Sequence, residues 1–201
     1  FNGKPKYKFM FPQIRTASLM LFALTVLTGG VYPLVVTVVA QVVFPHQANG
    51  SLLKQDNQVI GSEFIGQPFT KPEYFWGRLS ATSHTAYNAS SSSGSNFGPL
   101  HPGLKTAAEG RISQLQAGRH DEIPVPIDLV TSSGSGLDPH ISLAAAEYQV
   151  PRVAESRRMS AASVRELTRI NTEHRQLGIL GELRVNVLRL NLALDQQQRG
   201  N

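Results

Sequence analysis

Residues 17 through 44 form a run of 28 without a charged side chain, and the run lacks the polar stripe that a core helix of a soluble protein normally shows. As a helix rising about 1.5 Å per residue it extends ~42 Å, more than the ~30 Å hydrocarbon core of a bilayer. The pattern therefore predicts a transmembrane helix over 17–44. Gly29, Gly30 and Pro33 fall inside it. Proline has no amide hydrogen and crowds the carbonyl four residues earlier, which predicts a kink near Gly29 that Thr28 or neighbouring protein can accommodate. Such a helix suits docking against partner helices, although the two glycines are adjacent and form no GxxxG pair. A cleavable signal peptide competes, with Val38 and Ala40 as the small-residue site; its apolar core is usually about 7–15 residues, roughly half the run present here.

Beyond Phe44 the pattern changes abruptly. Pro45, Asn49 and Gly50 supply turn chemistry that ends the helix. Residues 59–66 pair apolar positions between glycines and predict a short strand or two, and Phe69, Tyr74, Phe75 and Trp76 form an aromatic cluster expected in the core. The Ser/Gly/Asn-rich stretch 90–99 predicts a surface loop. Leu104, Ala108, Ile112 and Leu115 recur at helical spacing, predicting a helix over about 103–117, closed by Gly118. The alternation over 124–131 predicts a strand with an edge position for its prolines. Ser142 is read as capping a helix through Tyr148, Pro151 as opening a second that runs to Arg158, and Ser160 as capping a third. A final strand over 184–187 precedes helical turns containing Leu190 and Leu194. Strands and helices mix without a βαβ repeat, so the fold class expected is α+β: one N-terminal transmembrane helix, then one compact extramembrane domain. The boundaries are a basic tail 1–16, the helix 17–44 and the domain 45–201.

The chain of 201 residues contains no cysteine, which excludes disulfides and thiolate metal sites. Its net charge of +5 is unevenly placed. Lys4, Lys6, Lys8 and Arg15 precede the first acidic residue; removing those four from the 19 basic residues leaves 15 against 14 acids. The body is close to neutral, which argues against nucleic acid as a partner. The excess sits where membrane orientation is set, and the positive-inside bias places the N-terminus in the cytoplasm and the body on the opposite side of the membrane.

No metalloprotease, P-loop, dinucleotide or hydrolase signature is present. The six histidines are scattered without i+3 or i+4 partners, so no metal site and no catalytic residue are expected. The most unusual string is 131–140, TSSGSGLDPH, a hydroxyl- and glycine-rich turn. Such backbone can offer N–H groups to an anion; it equally serves as a polar connection capped by Asp138. A Ser135/Asp138/His140 set can be drawn, but triad members usually come from separate elements.

Several longer strings carry a resemblance: TGGVYPLVVT from Thr28, FPHQANGSL from Phe44, GSEFIGQPF from Gly61, YFWGRLSAT from Tyr74, SSGSNFGPL from Ser92, DLVTSSGSGLDPHIS from Asp128, YQVPRVA from Tyr148 and RVNVLRLNLALD from Arg184. In this order they resemble the C subunit of the Kdp-type potassium-transporting P-type ATPases of bacteria. Departures are Leu79 and Leu183, where the family often has proline, Ser132 where it usually has alanine, and His101 where asparagine is common. The resemblance implies a non-catalytic accessory subunit, without a tightly bound cofactor, of a four-part pump. Its implied partners are a channel-like subunit that selects potassium, the P-type subunit that hydrolyses ATP, and a small single-helix subunit. It also implies a role in assembly and as a catalytic chaperone that raises the ATP affinity of the P-type subunit, with Ser133, Gly134, Ser135 and Gly136 resembling the segment discussed for ATP contact. Direct nucleotide binding by that segment and an external body are in tension, because ATP is cytoplasmic.

Overall fold

The computed structural model describes residues 10–117 and 123–199. Lys4, Lys6 and Lys8 of the tail, and Gly118 beyond the predicted helix, lie outside the described residues. The chain falls into two compact units, Phe1–Ser51 and Leu52–Asn201.

In the first unit α1 (Met10–Val26) continues through a π-helical segment, Leu27–Val31, into α2 (Tyr32–Val43). The stretch Phe11–Val43 is long and apolar enough to cross a membrane, and its apolar side chains are uncovered within the chain. At the site of the expected kink the helix widens. Tyr32 N–H donates to Leu27 O, five residues back, and this wider turn sits where the Pro33 ring would otherwise crowd the Gly29 carbonyl. Thr28 Oγ1 donates to Leu24 O at 2.7 Å. Phe44, at φ −131°, breaks the helix, and a single turn, α3 (Pro45–Ala48), follows.

The second unit opens with a hairpin, β1 (Leu52–Gln55) against β2 (Gln58–Ser62), and then runs irregularly to α4 (Pro102–Gln116). A short α5 (Ile127–Val130) leads to β3 (His140–Ser142), α6 (Leu143–Arg157) and α7 (Ala161–Ile170). Next come β4 (Thr172–Glu173), β5 (Arg184–Asn186) and α8 (Val187–Arg199). Three strands form an antiparallel sheet in the order β3-β5-β4, with Ile141 opposite Val185. The buried face of α6 (Ala146, Val150, Val153) packs with Val164 of α7 and Leu190 and Leu194 of α8, and Phe75, Leu115 and Leu129 complete the core. The architecture is α+β, an apolar N-terminal helix followed by a compact domain of helices and small sheets.

Two local expectations are corrected. Residues 124–131 are not a strand: Leu129 N–H donates to Pro126 O and Thr131 Oγ1 to Ile127 O, closing one helical turn. The Asp128 carboxylate accepts from Ser142 N–H at 2.7 Å, tying that turn to β3. The two helices expected on either side of Pro151 are one, α6, capped by Ser142 Oγ accepting from Ala145 N–H. Pro151 and Glu147, four residues earlier, are both exposed. The hydrogen bond that proline cannot make therefore lies on the wet face, and the buried stripe passes uninterrupted.

The irregular segment through Phe75 and Trp76 is held by side-chain amides in place of a neighbouring strand. Buried Asn191 accepts from Phe75 N–H at 2.8 Å and donates to Phe75 O at 3.0 Å. Buried Gln149 does the same for Trp76, at 2.8 and 3.1 Å. Arg157, also buried, donates to Glu73 O and pairs with Asp195 at 2.7 Å, fastening the same segment to the end of α8.

Candidate functional site

The string 131–140 leads from α5 into β3, and a second loop, residues 78–94, packs along it. Leu79 bridges Ser132 in parallel register; these are two of the positions at which the chain departs from the family pattern, and they are each other's backbone partners. Arg78 reaches across, donating to Ser132 O at 3.3 Å and pairing with Asp138 at 3.2 Å. Ser80 Oγ donates to Gly136 O at 2.7 Å and accepts from Tyr87 N–H at 2.9 Å. Ser92 Oγ donates to Ser135 O at 3.0 Å. The glycines permit this closeness: Gly136 has φ +68°, and a Cβ there would collide with Ser93 O, while one on Gly94 would meet Gly134 O at 3.0 Å.

Of the four residues singled out, Ser133 and Gly136 are buried, whereas Gly134 and Ser135 are exposed. The turn uses part of its own donor capacity, since Gly136 N–H donates to Ser133 O and Leu137 N–H to Ser135 Oγ. Beside it lies a cleft of about 360 Å³ between the 78–94 loop and α4, with Leu79, Phe97, Leu104 and Val130 as apolar walls and Ser80 and Thr131 at its polar edge. Its described lining carries no charged side chain. The nearby cation Arg78 faces Asp138.

His140 does not join Ser135. Its Nδ1 lies 3.1 Å from Asp138 and its Nε2 3.6 Å from Glu173, so both ring nitrogens face carboxylates. Burial opposes ionisation of Asp138, but hydrogen bonds from His140 and the Arg78 charge outweigh it and hold the carboxyl below its ordinary range. Tyr87 donates to Arg78 O at 2.6 Å, and burial pushes its phenol up to about 12. Among the described residues no group of three or more metal-ligating side chains is assembled. The arrangement is a cross-braced pair of loops, and no nucleophile–base pair is formed by the residues proposed for one.

Gly29 and Gly30 both lie in the π-helical segment, and apart from the helix's own backbone nothing in the described chain comes within 4 Å of the Cβ position of either. Pro33 follows in the first turn of α2. The amide clamps of Asn191 and Gln149 escaped the sequence reading, because an amide in an amphipathic helix reads as surface until the fold buries it.

The chain thus joins a single apolar helix, long enough to cross a membrane, to a small α+β body. The family model described as "KdpC: K+-transporting ATPase, c chain" matches residues 14–196. Proteins called potassium-transporting ATPase KdpC subunit are similar throughout: that of Burkholderia ambifaria is 57% identical over 92% of this chain and 96% of its own. The Methylococcus capsulatus protein is 56% identical over 92% and 98%, and the Herpetosiphon aurantiacus protein 56% over 90% and 95%. This chain belongs to the KdpC family.

Proposed function

We propose that the chain is a non-catalytic subunit that assembles and stabilises an ATP-driven potassium importer in the inner membrane. Its helix docks, through the π-helical turn at Gly29 and Gly30 and the proline that follows, against helices of the channel-like and P-type subunits and of the small single-helix subunit. Its N-terminus is cytoplasmic and its body periplasmic, so any rise it causes in the ATP affinity of the P-type subunit passes through the membrane as a coupling between distant sites. The body holds no tightly bound cofactor of its own.

The observation that carries the indirect reading is the occupation of residues 133–136 by the chain's own 78–94 loop, through Ser80 and Ser92. A triphosphate is favoured by cations and open N–H groups; here Arg78 is paired with Asp138, and the N–H groups of Gly136 and of the adjoining Leu137 are used inside the turn. The second reading, direct ATP contact by Ser133, Gly134, Ser135 and Gly136, is kept by the exposure of Gly134 and Ser135.

Sidedness decides between them. Leu100 is 97% exposed in the body, and the chain has no cysteine of its own, so Leu100→Cys gives a single reporter. Labelling of intact cells by a thiol reagent that does not cross the inner membrane is the expected result. Labelling only after that membrane is opened would overturn the external body and restore direct nucleotide contact.

A further inference from the structure

Between β4 and β5 the chain closes a loop whose tip is apolar. Leu177, Ile179 and Leu180 are 89%, 75% and 55% exposed. Single exposed aliphatic residues are ordinary on protein surfaces, but three within four positions at one projecting tip make a patch that calls for a covering phase.

The tip is held in shape by its own backbone. Gln176 N–H donates to Leu180 O at 2.8 Å and Leu180 N–H to Gln176 O at 2.9 Å, while Gly178 N–H and Ile179 N–H donate to Arg175 O and Gln176 O. Leu177 takes φ +54°, a conformation seldom adopted by leucine, and Gly178 takes +77°. At the base Arg175 and Glu182 form an ion pair at 2.6 Å, which leaves the loop locally neutral.

Four of the tip's N–H groups are paired within the segment and the charges at its base neutralise each other, which lowers the cost of seating it at the edge of the hydrocarbon. The tip has no net positive base that would single out anionic headgroups, so the attraction is apolar. A body carried on the same chain as a membrane-crossing helix has a hydrocarbon phase permanently available. We propose that the 177–180 tip is a bilayer contact, seating Leu177, Ile179 and Leu180 at the boundary of headgroups and acyl chains. The proposal rests on the membrane-anchored reading of the chain.

The test uses the full chain in phosphatidylcholine vesicles, with an environment-sensitive fluorophore on one introduced cysteine and brominated phosphatidylcholine as quencher. Labels at Ile179→Cys and, separately, Leu177→Cys are expected to be quenched about twofold or more beyond a label at Leu100→Cys, as for interfacial side chains. A label at Val36→Cys, inside α2, reports the anchor itself. Quenching at Val36 with none above the Leu100 level at Ile179 and Leu177 overturns the bilayer contact alone, including the case where added pump subunits then shield the tip as a protein pocket would. No quenching at Val36 overturns the anchor, and the tip proposal with it.

Discussion

Asn191 shows how much of this fold depends on single polar side chains. Its amide satisfies both backbone groups of Phe75, a residue with no exposed surface. Asn191→Ala strands a buried N–H and a buried C=O, each costing about 1–3 kcal/mol. The expected loss of unfolding free energy is therefore ~2–6 kcal/mol by urea titration; a loss below about 1 kcal/mol would show that water replaces the amide. Asp138 contributes differently, through charge. Its carboxyl is held below the ordinary range, so its contribution is present above the unfolded-state carboxylate pKa and is lost as pH falls through the lower folded value. The stability gap between the native chain and Asp138→Asn should shrink as pH is lowered below about 4. A gap constant down to pH 2 would contradict that account. His101 bears on the family pattern at the same scale: its Nδ1 accepts from Gly103 N–H at 3.0 Å and caps α4, the service that asparagine performs at such a position.

At the scale of elements, two prolines in helical stretches have different consequences. Pro151 lies on the exposed face of α6 and leaves that helix continuous. Pro33 follows a π-helical turn, so its effect is on the shape of an uncovered apolar helix. Insertion depends on summed hydrophobicity, whereas docking depends on shape. Pro33→Ala should therefore leave the chain in the membrane fraction while lowering the yield of purified complex by about twofold or more, the scale of a few tenths to 1 kcal/mol in helix packing. Equal loss from both fractions would remove the docking role of the widened turn and its proline. Helices α4 and α7 were legible because their ends carry local caps; Ser160 Oγ, for one, accepts from Ser163 N–H at 3.0 Å. The turn α5 was misread as a strand because Val125, Ile127 and Leu129 alternate, and four residues are too few for a period of 3.6 to show itself against a period of 2.

For the whole molecule, the sequence by itself determined the apolar helix, the α+β class of the body and the family. Each rests on information contained in contiguous residues: hydropathy over a long window, caps at helix ends, and strings such as DLVTSSGSGLDPHIS. Tertiary structure alone decided what the 131–140 string touches. Ser80 and Ser92, some 43 to 56 positions away in sequence, donate to its Gly136 and Ser135 carbonyls. The same holds for His140, whose carboxylate neighbours come from its own turn and from β4, and for Gln149 and Asn191, 73 and 116 residues from the backbone they satisfy. Long-range pairs of this kind leave no periodic trace, because the polar side chain and the backbone group it completes are brought together only when the core closes around both.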